Sequence, residues 1–269
     1  MKRSQKNGVN IYQGFGLSGF RQDQIEMLHY ATLEVLQNTG VKVESKEAAE
    51  VFLSAGAYVK QESNYYLVKI PSYIVEDCIR WAARPGIFFG RVPEDDFIAE
   101  PHRVGFATFG ECIQVIDPLT RKVRKSTKKD CGDISLICDY YDEISVMERP
   151  CCSSDTHPST QPLHNLEAII TNTSKPVFIA AVNARNCIKM VEMAAACVGG
   201  RENFRKRPFL NIFVCPTSPL TLVQNCCEVI MEAAKQGTGI AIIPMALAGA
   251  TSVATLAGTL VTHNAEVLS

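Results

Sequence analysis

A chain of 269 residues with 46% hydrophobic and 20% charged residues has the make-up of a globular protein with a sizeable core, which excludes disorder as its dominant state. Twenty-seven Lys and Arg against 28 Asp and Glu leave a net charge of −1, so the electrostatic footprint of a nucleic-acid binder is missing. No run nears the ~20 apolar residues of a membrane span, and no apolar stretch follows the basic start Met1–Asn7, so neither membrane insertion nor secretion is expected.

Residues 1–20 are glycine-rich and weakly patterned, as in an arm. From Arg21 the apolar residues Ile25, Leu28, Leu33, Val35 and Leu36 recur at helical steps until Gly40. Ser45 heads a short helix that ends at Gly56. Tyr65–Ile70 reads as a strand, and Pro71 opens a helix to about Ala83. Residues 1–103 are thus expected to form an α+β leader.

Residues 104–127 predict a hairpin-rich stretch, with strands at Val104–Phe109, Cys112–Ile116 and Lys122–Arg124 and a turn at Asp117-Pro118. The charge run Arg121-Lys122, Arg124-Lys125 and Lys128-Lys129 falls here. It is expected to be a solvated edge, with a docking patch for an acidic partner as the alternative reading.

Beyond 128, helical patterns alternate with short apolar runs beginning at Ile144, Val177, Leu210 and Ile240, spaced 33, 33 and 30 residues apart. That period is one βα unit, which implies parallel strands joined by crossover helices. No strand is followed by Gly-x-Gly-x-x-Gly, so a (β/α)8 TIM barrel is preferred over a doubly wound nucleotide fold. A barrel takes ~250 residues, and residues 104–269 supply only 166. The final helix, still in phase at Ser269, agrees with a truncated barrel.

The 11 cysteines suit a reducing, cytoplasmic setting, and none lies in a Cys-x-x-Cys or iron–sulfur spacing. No metal site is expected: adjacent Cys151 and Cys152 suit one zinc ion poorly. Barrel chemistry sits in the loops after the strands, here 149–157, 182–183, 215–219 and 244–251. Within them Asp155 is expected to bond its own loop. His164, near a helix N-terminus and so near the pocket mouth, is either a neutral donor or acceptor or merely structural. Cys215 reads as a buried small residue at a strand end in preference to a nucleophile. Thr217 and Ser218 offer hydroxyls, and Met245 an apolar wall.

Phe213-Val-Cys-Pro-Thr-Ser-Pro-Leu220 and the long stretch Met245–Ser269 resemble the trimethylamine:corrinoid methyltransferase family. Weaker similarity covers His29–Leu36 and Val68–Pro71. The resemblance implies a barrel that moves a methyl group from a methylated amine to the cobalt of a corrinoid (cobalamin) held by a separate cognate protein, with no cofactor bound directly. It also implies a homo-oligomer at full length. In the trimethylamine branch, to which the wording is nearer, the activating residue is pyrrolysine at a position beyond Ser269. The other branch lacks it and demethylates quaternary amines such as glycine betaine. A non-catalytic amine-binding barrel or inactive fragment is the alternative from another class. A methylammonium-like substrate prefers aromatic and polarisable walls, to which Phe109, Phe213 and Met245 could contribute, with ordinary core the reading that composition favours for each.

Overall fold

The structure, a computed structural model, describes residues 19–82, 86–99 and 103–269. The expected arm thus lies outside the described residues except for Gly19 and Phe20. In chain order the first elements are α1 (Gln22–Glu34), β1 (Val41–Val43), α2 (Lys46–Ser54), β2 (Tyr58–Gln61), β3 (Tyr66–Lys69) and α3 (Ser72–Trp81). One π-helical turn, Val35–Thr39, extends α1, and it stops at Gly40, whose φ of 82° only glycine adopts freely. A side chain there would also place its Cβ 2.3 Å from the Val68 carbonyl oxygen. The Ser45 hydroxyl accepts the Ala48 N–H at 3.2 Å and caps α2, as its sequence signature requires.

Next come β4 (Gly86–Phe88) and β5 (Phe97–Ala99), an antiparallel pair, then β6 (Phe106–Ala107), β7 (Gln114–Ile116), β8 (Val123–Lys125) and α4 (Lys128–Tyr140). The regular part follows: β9 (Ile144–Glu148), α5 (Gln161–Ile170), β10 (Val177–Ala180), α6 (Ala184–Cys197), α7 (Arg201–Lys206), β11 (Leu210–Val214), β12 (Thr221–Leu222), α8 (Gln224–Gln236), β13 (Gly239–Ile242) and α9 (Leu256–Leu268). The strands expected from the 30–33 residue spacing are β9, β10, β11 and β13.

These four join β6 in a five-stranded sheet of order β13-β11-β10-β9-β6. The pairs β6–β9, β9–β10 and β10–β11 are parallel, with Val177 opposite both Met147 and Leu210. The fold is mixed α/β, with a curled parallel half-barrel sheet compatible with an incomplete TIM barrel. Every residue of β11 is buried, as a strand covered on both faces must be. One expectation needs correction. The first strand of the 104–127 stretch does not join the hairpin; Phe106-Ala107 pairs in parallel with Ile144–Val146 in the main sheet, and only β7 and β8 form the hairpin. Two residues are too few to carry a pattern that distinguishes the two partners.

The residues group into two compact units. Of the described residues, one holds 86–99, 103–213 and 232–241, with the five-stranded sheet; the other holds 19–82, 214–231 and 242–269. The division by sequence order at 103/104 therefore differs from the grouping in space. In the second unit a four-stranded sheet runs β12-β1-β3-β2, with β12 parallel to β1 and the other pairs antiparallel. The leader's sheet is completed by residues almost two hundred positions downstream, where Lys42 N–H donates to the Leu220 carbonyl at 2.8 Å and Glu44 N–H to that of Leu222 at 3.0 Å. Helix α9 lies against α1, and Asn264 donates to the Thr32 hydroxyl at 3.0 Å.

Lys175 closes the end of α4 from the first unit's core. The side chain is wholly buried, and its ammonium donates to the carbonyls of Cys138 at 2.6 Å and Tyr141 at 2.7 Å. The first is a late-helix carbonyl of the kind that helix ends leave unpaired, and the second also accepts the Ile144 N–H at 3.2 Å.

Candidate active site

Parallel α/β sheets bind ligands outside the carboxyl ends of their strands. At that edge of β6 and β9 the Thr108 hydroxyl accepts the Glu148 N–H at 2.9 Å and donates to the Glu148 carbonyl. The two chains stay close beyond the strands. The backbones of Cys112 and Cys151 pair in an isolated parallel β-bridge, Cys152 N–H donates to the Cys112 carbonyl at 2.9 Å, and Gly110 lets the backbones approach where any Cβ would sit 2.8 Å from the Pro150 carbonyl. Glu111 takes a left-handed φ of 54°, sparsely allowed for a residue with a side chain.

That bend brings three ionisable groups together. The Glu111 carboxylate pairs with the Arg149 guanidinium, which is buried, and the Arg149 Nε has no hydrogen-bond partner among the described residues. Glu148, half-buried, has its carboxyl pushed above the usual carboxylate range, first by burial and then by the nearby Glu111, with Arg149 opposing. A carboxyl shifted upward at a strand's carboxyl end is the chemistry of a general acid or base, or of a counter-charge for a cation. One carboxylate is neutralised by arginine while the other is left for a ligand.

The loop after β9 is fixed from behind. The Ser153 N–H donates to Asn165 Oδ1 at 2.8 Å, Gln161 to the Ser153 carbonyl at 3.1 Å, and the Ser126 hydroxyl to the Cys152 carbonyl at 2.7 Å. Asp155 accepts the Lys128 N–H at 2.7 Å at the start of α4, a bond to a neighbouring helix and not to its own loop. A thiol hydrogen bond to Cys151, and then burial, push the Cys131 thiol up. His164 stands in the first half of α5 with Nδ1 3.2 Å from the Lys128 ammonium, which reaches Glu167 at 2.7 Å. Phe109 is exposed.

The other named residues belong to the second unit, except Phe213, the last residue of its segment in the first. Cys215 is exposed, not buried as its place at a strand end suggested, because β11 ends at Val214 and the chain turns outward. Thr217 closes a tight turn with Thr221 through two backbone bonds of 2.9 and 3.0 Å. The Ser218 hydroxyl donates to Glu266 Oε2 at 2.8 Å, and Leu220 N–H donates to Oε1 of the same carboxyl at 2.9 Å. Glu266 is buried, so this is a clamp from α9 onto the loop. The two stretches that carry the resemblance are therefore one physical unit. Met245 is exposed, whereas Phe213 is buried.

In sequence Glu148 closes the strand at 144, Arg149 opens the loop 149–157 and Glu111 falls in a presumed hairpin, with nothing to mark any of the three. Only the pairing of β6 with β9, invisible in sequence, brings them together. Among the described residues no group of three or more His, Cys, Asp or Glu could hold a metal ion. No helix among them is long and apolar enough to cross a membrane.

An acid–guanidinium cluster at the carboxyl edge of a parallel sheet lies where α/β proteins bind their ligands. The model of the trimethylamine methyltransferase family matches residues 6–269, and the chain belongs to that family. It is similar to the trimethylamine methyltransferase MttB of Desulfitobacterium hafniense (strain DSM 10664 / DCB-2), 46% identical over 97% of this chain and 52% of the relative. The trimethylamine methyltransferase MttB of Methanosarcina barkeri (strain Fusaro / DSM 804) is 34% identical over 100% of this chain and 55% of its own length. A glycine betaine methyltransferase of Desulfitobacterium hafniense (strain Y51) is 26% identical over 92% of the chain. The chain spans about half the length of these curated relatives.

Proposed function

We propose that the complete protein transfers a methyl group from trimethylamine to the cobalt of a corrinoid carried by a separate cognate protein. The observation that carries this reading is the 46% identity, over nearly the whole chain, to a relative named for trimethylamine, against 26% to one named for glycine betaine. The chemistry asks for a site that holds the amine with a methyl in line with the acceptor. The C–N bond breaks with its electron pair left on nitrogen, while cobalt(I) supplies the pair of the new cobalt–carbon bond. Glu148 suits the amine end, since a half-buried carboxyl whose proton affinity is raised can balance a nitrogen that changes charge. Arg149 holds Glu111 away from that task.

Under this reading the five-stranded sheet is part of a complete (β/α)8 barrel, and the pyrrolysine implied by the family resemblance lies beyond Ser269. The corrinoid stays with its carrier, the protein is a homo-oligomer, and His164, Cys215, Thr217, Ser218, Met245 and Phe109 border the pocket. Eleven free cysteines support a cytoplasmic setting. Substrate preference tests the reading: the complete protein turns over trimethylamine with kcat/KM at least tenfold above that for glycine betaine. The reverse order would assign it to quaternary amines.

A further inference from the structure

We infer that the β7–β8 hairpin is the docking surface for an acidic protein face, and, resting on the function proposed above, that this face belongs to the protein that carries the methyl acceptor. The register of the hairpin sorts its side chains. Ile116 lies opposite Val123 and Gln114 opposite Lys125, so these four share one face, while Val115 and Arg124 share the other. The inner face is spent on anchoring. Arg124 bonds Asp130 at 2.7 and 2.8 Å and Asp117 at 3.1 Å, and Asp117 organises the tip by accepting the N–H groups of Leu119 and Thr120. Ser126 N–H closes the base on the Ile113 carbonyl at 3.1 Å.

The outer face is left open. Ile116 is 65% exposed, Val123 63% and, at the tip, Leu119 92%, although a two-stranded ribbon has little apolar surface to spare. Arg121, Lys122 and Lys125 are exposed around them, and no carboxylate among the described residues pairs with any of the three. By contrast Lys128 and Lys129, just beyond, are paired with Glu167 and Asp133. An apolar centre ringed by unspent cations, on a ribbon already held rigid, is the make-up of an interface that steers an anionic partner. A second copy of this chain meeting the same patch would set like charges against each other. The hairpin also belongs to the connection that leaves the carboxyl end of β6, the connection that supplies Glu111. A protein docked on it is held beside the candidate site.

The test compares the complete protein with the charge reversal Arg121→Glu/Lys122→Glu/Lys125→Glu and with Leu119→Ser, using two acceptors, the corrinoid protein and free cob(I)alamin. The expected result is a KM for the corrinoid protein raised about tenfold or more by the charge reversal, with a flattened dependence of the association rate on salt. Leu119→Ser raises the same KM, and turnover with free cob(I)alamin is unchanged in both variants. An unchanged KM for the corrinoid protein would overturn the inference, as would variants that convert an oligomer to a monomer by size-exclusion chromatography, which would make a second copy the occupant. No methylamine-dependent turnover with either acceptor in the wild type would instead sink the functional reading, and this identification of the partner with it.

Discussion

Replacing Glu266 with Ala removes one carboxyl and leaves two donors behind, the Leu220 N–H and the Ser218 O–H. An orphaned buried donor costs about 1–3 kcal/mol. The backbone N–H cannot turn away and is assigned about 2 kcal/mol, whereas the half-buried Ser218 hydroxyl can rotate towards water and is assigned much less. The emptied site, only 1% exposed, adds about 1 kcal/mol. The sum is about 3 kcal/mol, or roughly a hundredfold in a local opening equilibrium. Amide hydrogen exchange reads it directly. Segment 217–222 should exchange about 100-fold faster, together with Lys42 and Glu44, whose N–H groups bond the same strand. Glu266→Gln keeps one acceptor and should lose about tenfold. Ser218→Ala should have almost no effect once Glu266 is gone, because its partner has already been removed. Exchange of 217–222 that stays within about twofold of wild type in Glu266→Ala would refute the clamp.

Lys175→Met leaves the buried Cys138 carbonyl without a donor, while that of Tyr141 keeps the Ile144 N–H, and should cost about 2 kcal/mol, read as a lower urea midpoint. The Arg124 guanidinium holds the Asp130 carboxyl well below its ordinary value near 3.8, and Asp117 is held at about 2 by the Thr120 N–H and the same guanidinium. A depressed carboxyl contributes stability above its ordinary pKa and loses it as pH falls through the lowered one, so stability should drop from pH 4 towards 2. Asp130→Asn should shrink that loss while lowering the plateau at pH 7. Glu148 has the opposite sign. Its raised carboxyl favours the neutral form, so its contribution is greatest below its ordinary value of 4.5 and declines as pH rises through the raised one. Glu148→Gln should therefore hold or raise thermal stability at pH 7 while cutting turnover of the complete protein about 100-fold; equal turnover would make Glu148 scaffold.

The strands at 144, 177 and 210 were legible because each is a short apolar run at a fixed period; only β11 is buried at every position, while β9 and β10 alternate buried and half-buried residues. The helices at 22–34, 46–54 and 72–81 were legible from their caps and periodicity. The leader's sheet was not, because β1 is three residues long and its parallel partner β12 comes from residues 221–222, a pairing that local pattern cannot record. Strand β6 was assigned to the wrong partner for a related reason: two residues fit either a hairpin or a sheet edge, and only the packing of Thr108 on Glu148 decides. The candidate site fared likewise. Ser218 was noted as a free hydroxyl, but its bond to Glu266 depends on a helix 48 residues away. Glu148 gains its shifted carboxyl only from burial and the approach of Glu111, neither of which is written in a motif.

Methyl transfer from trimethylamine to the corrinoid protein, followed by the visible absorbance of the cobalt centre with the complete protein present, tests the central claim most directly. The account predicts conversion of cobalt(I) to methylcobalt(III) that requires both the protein and the amine, with one dimethylamine released per methyl moved. No conversion from trimethylamine, under conditions where the corrinoid protein accepts methyl groups from another donor, would contradict it.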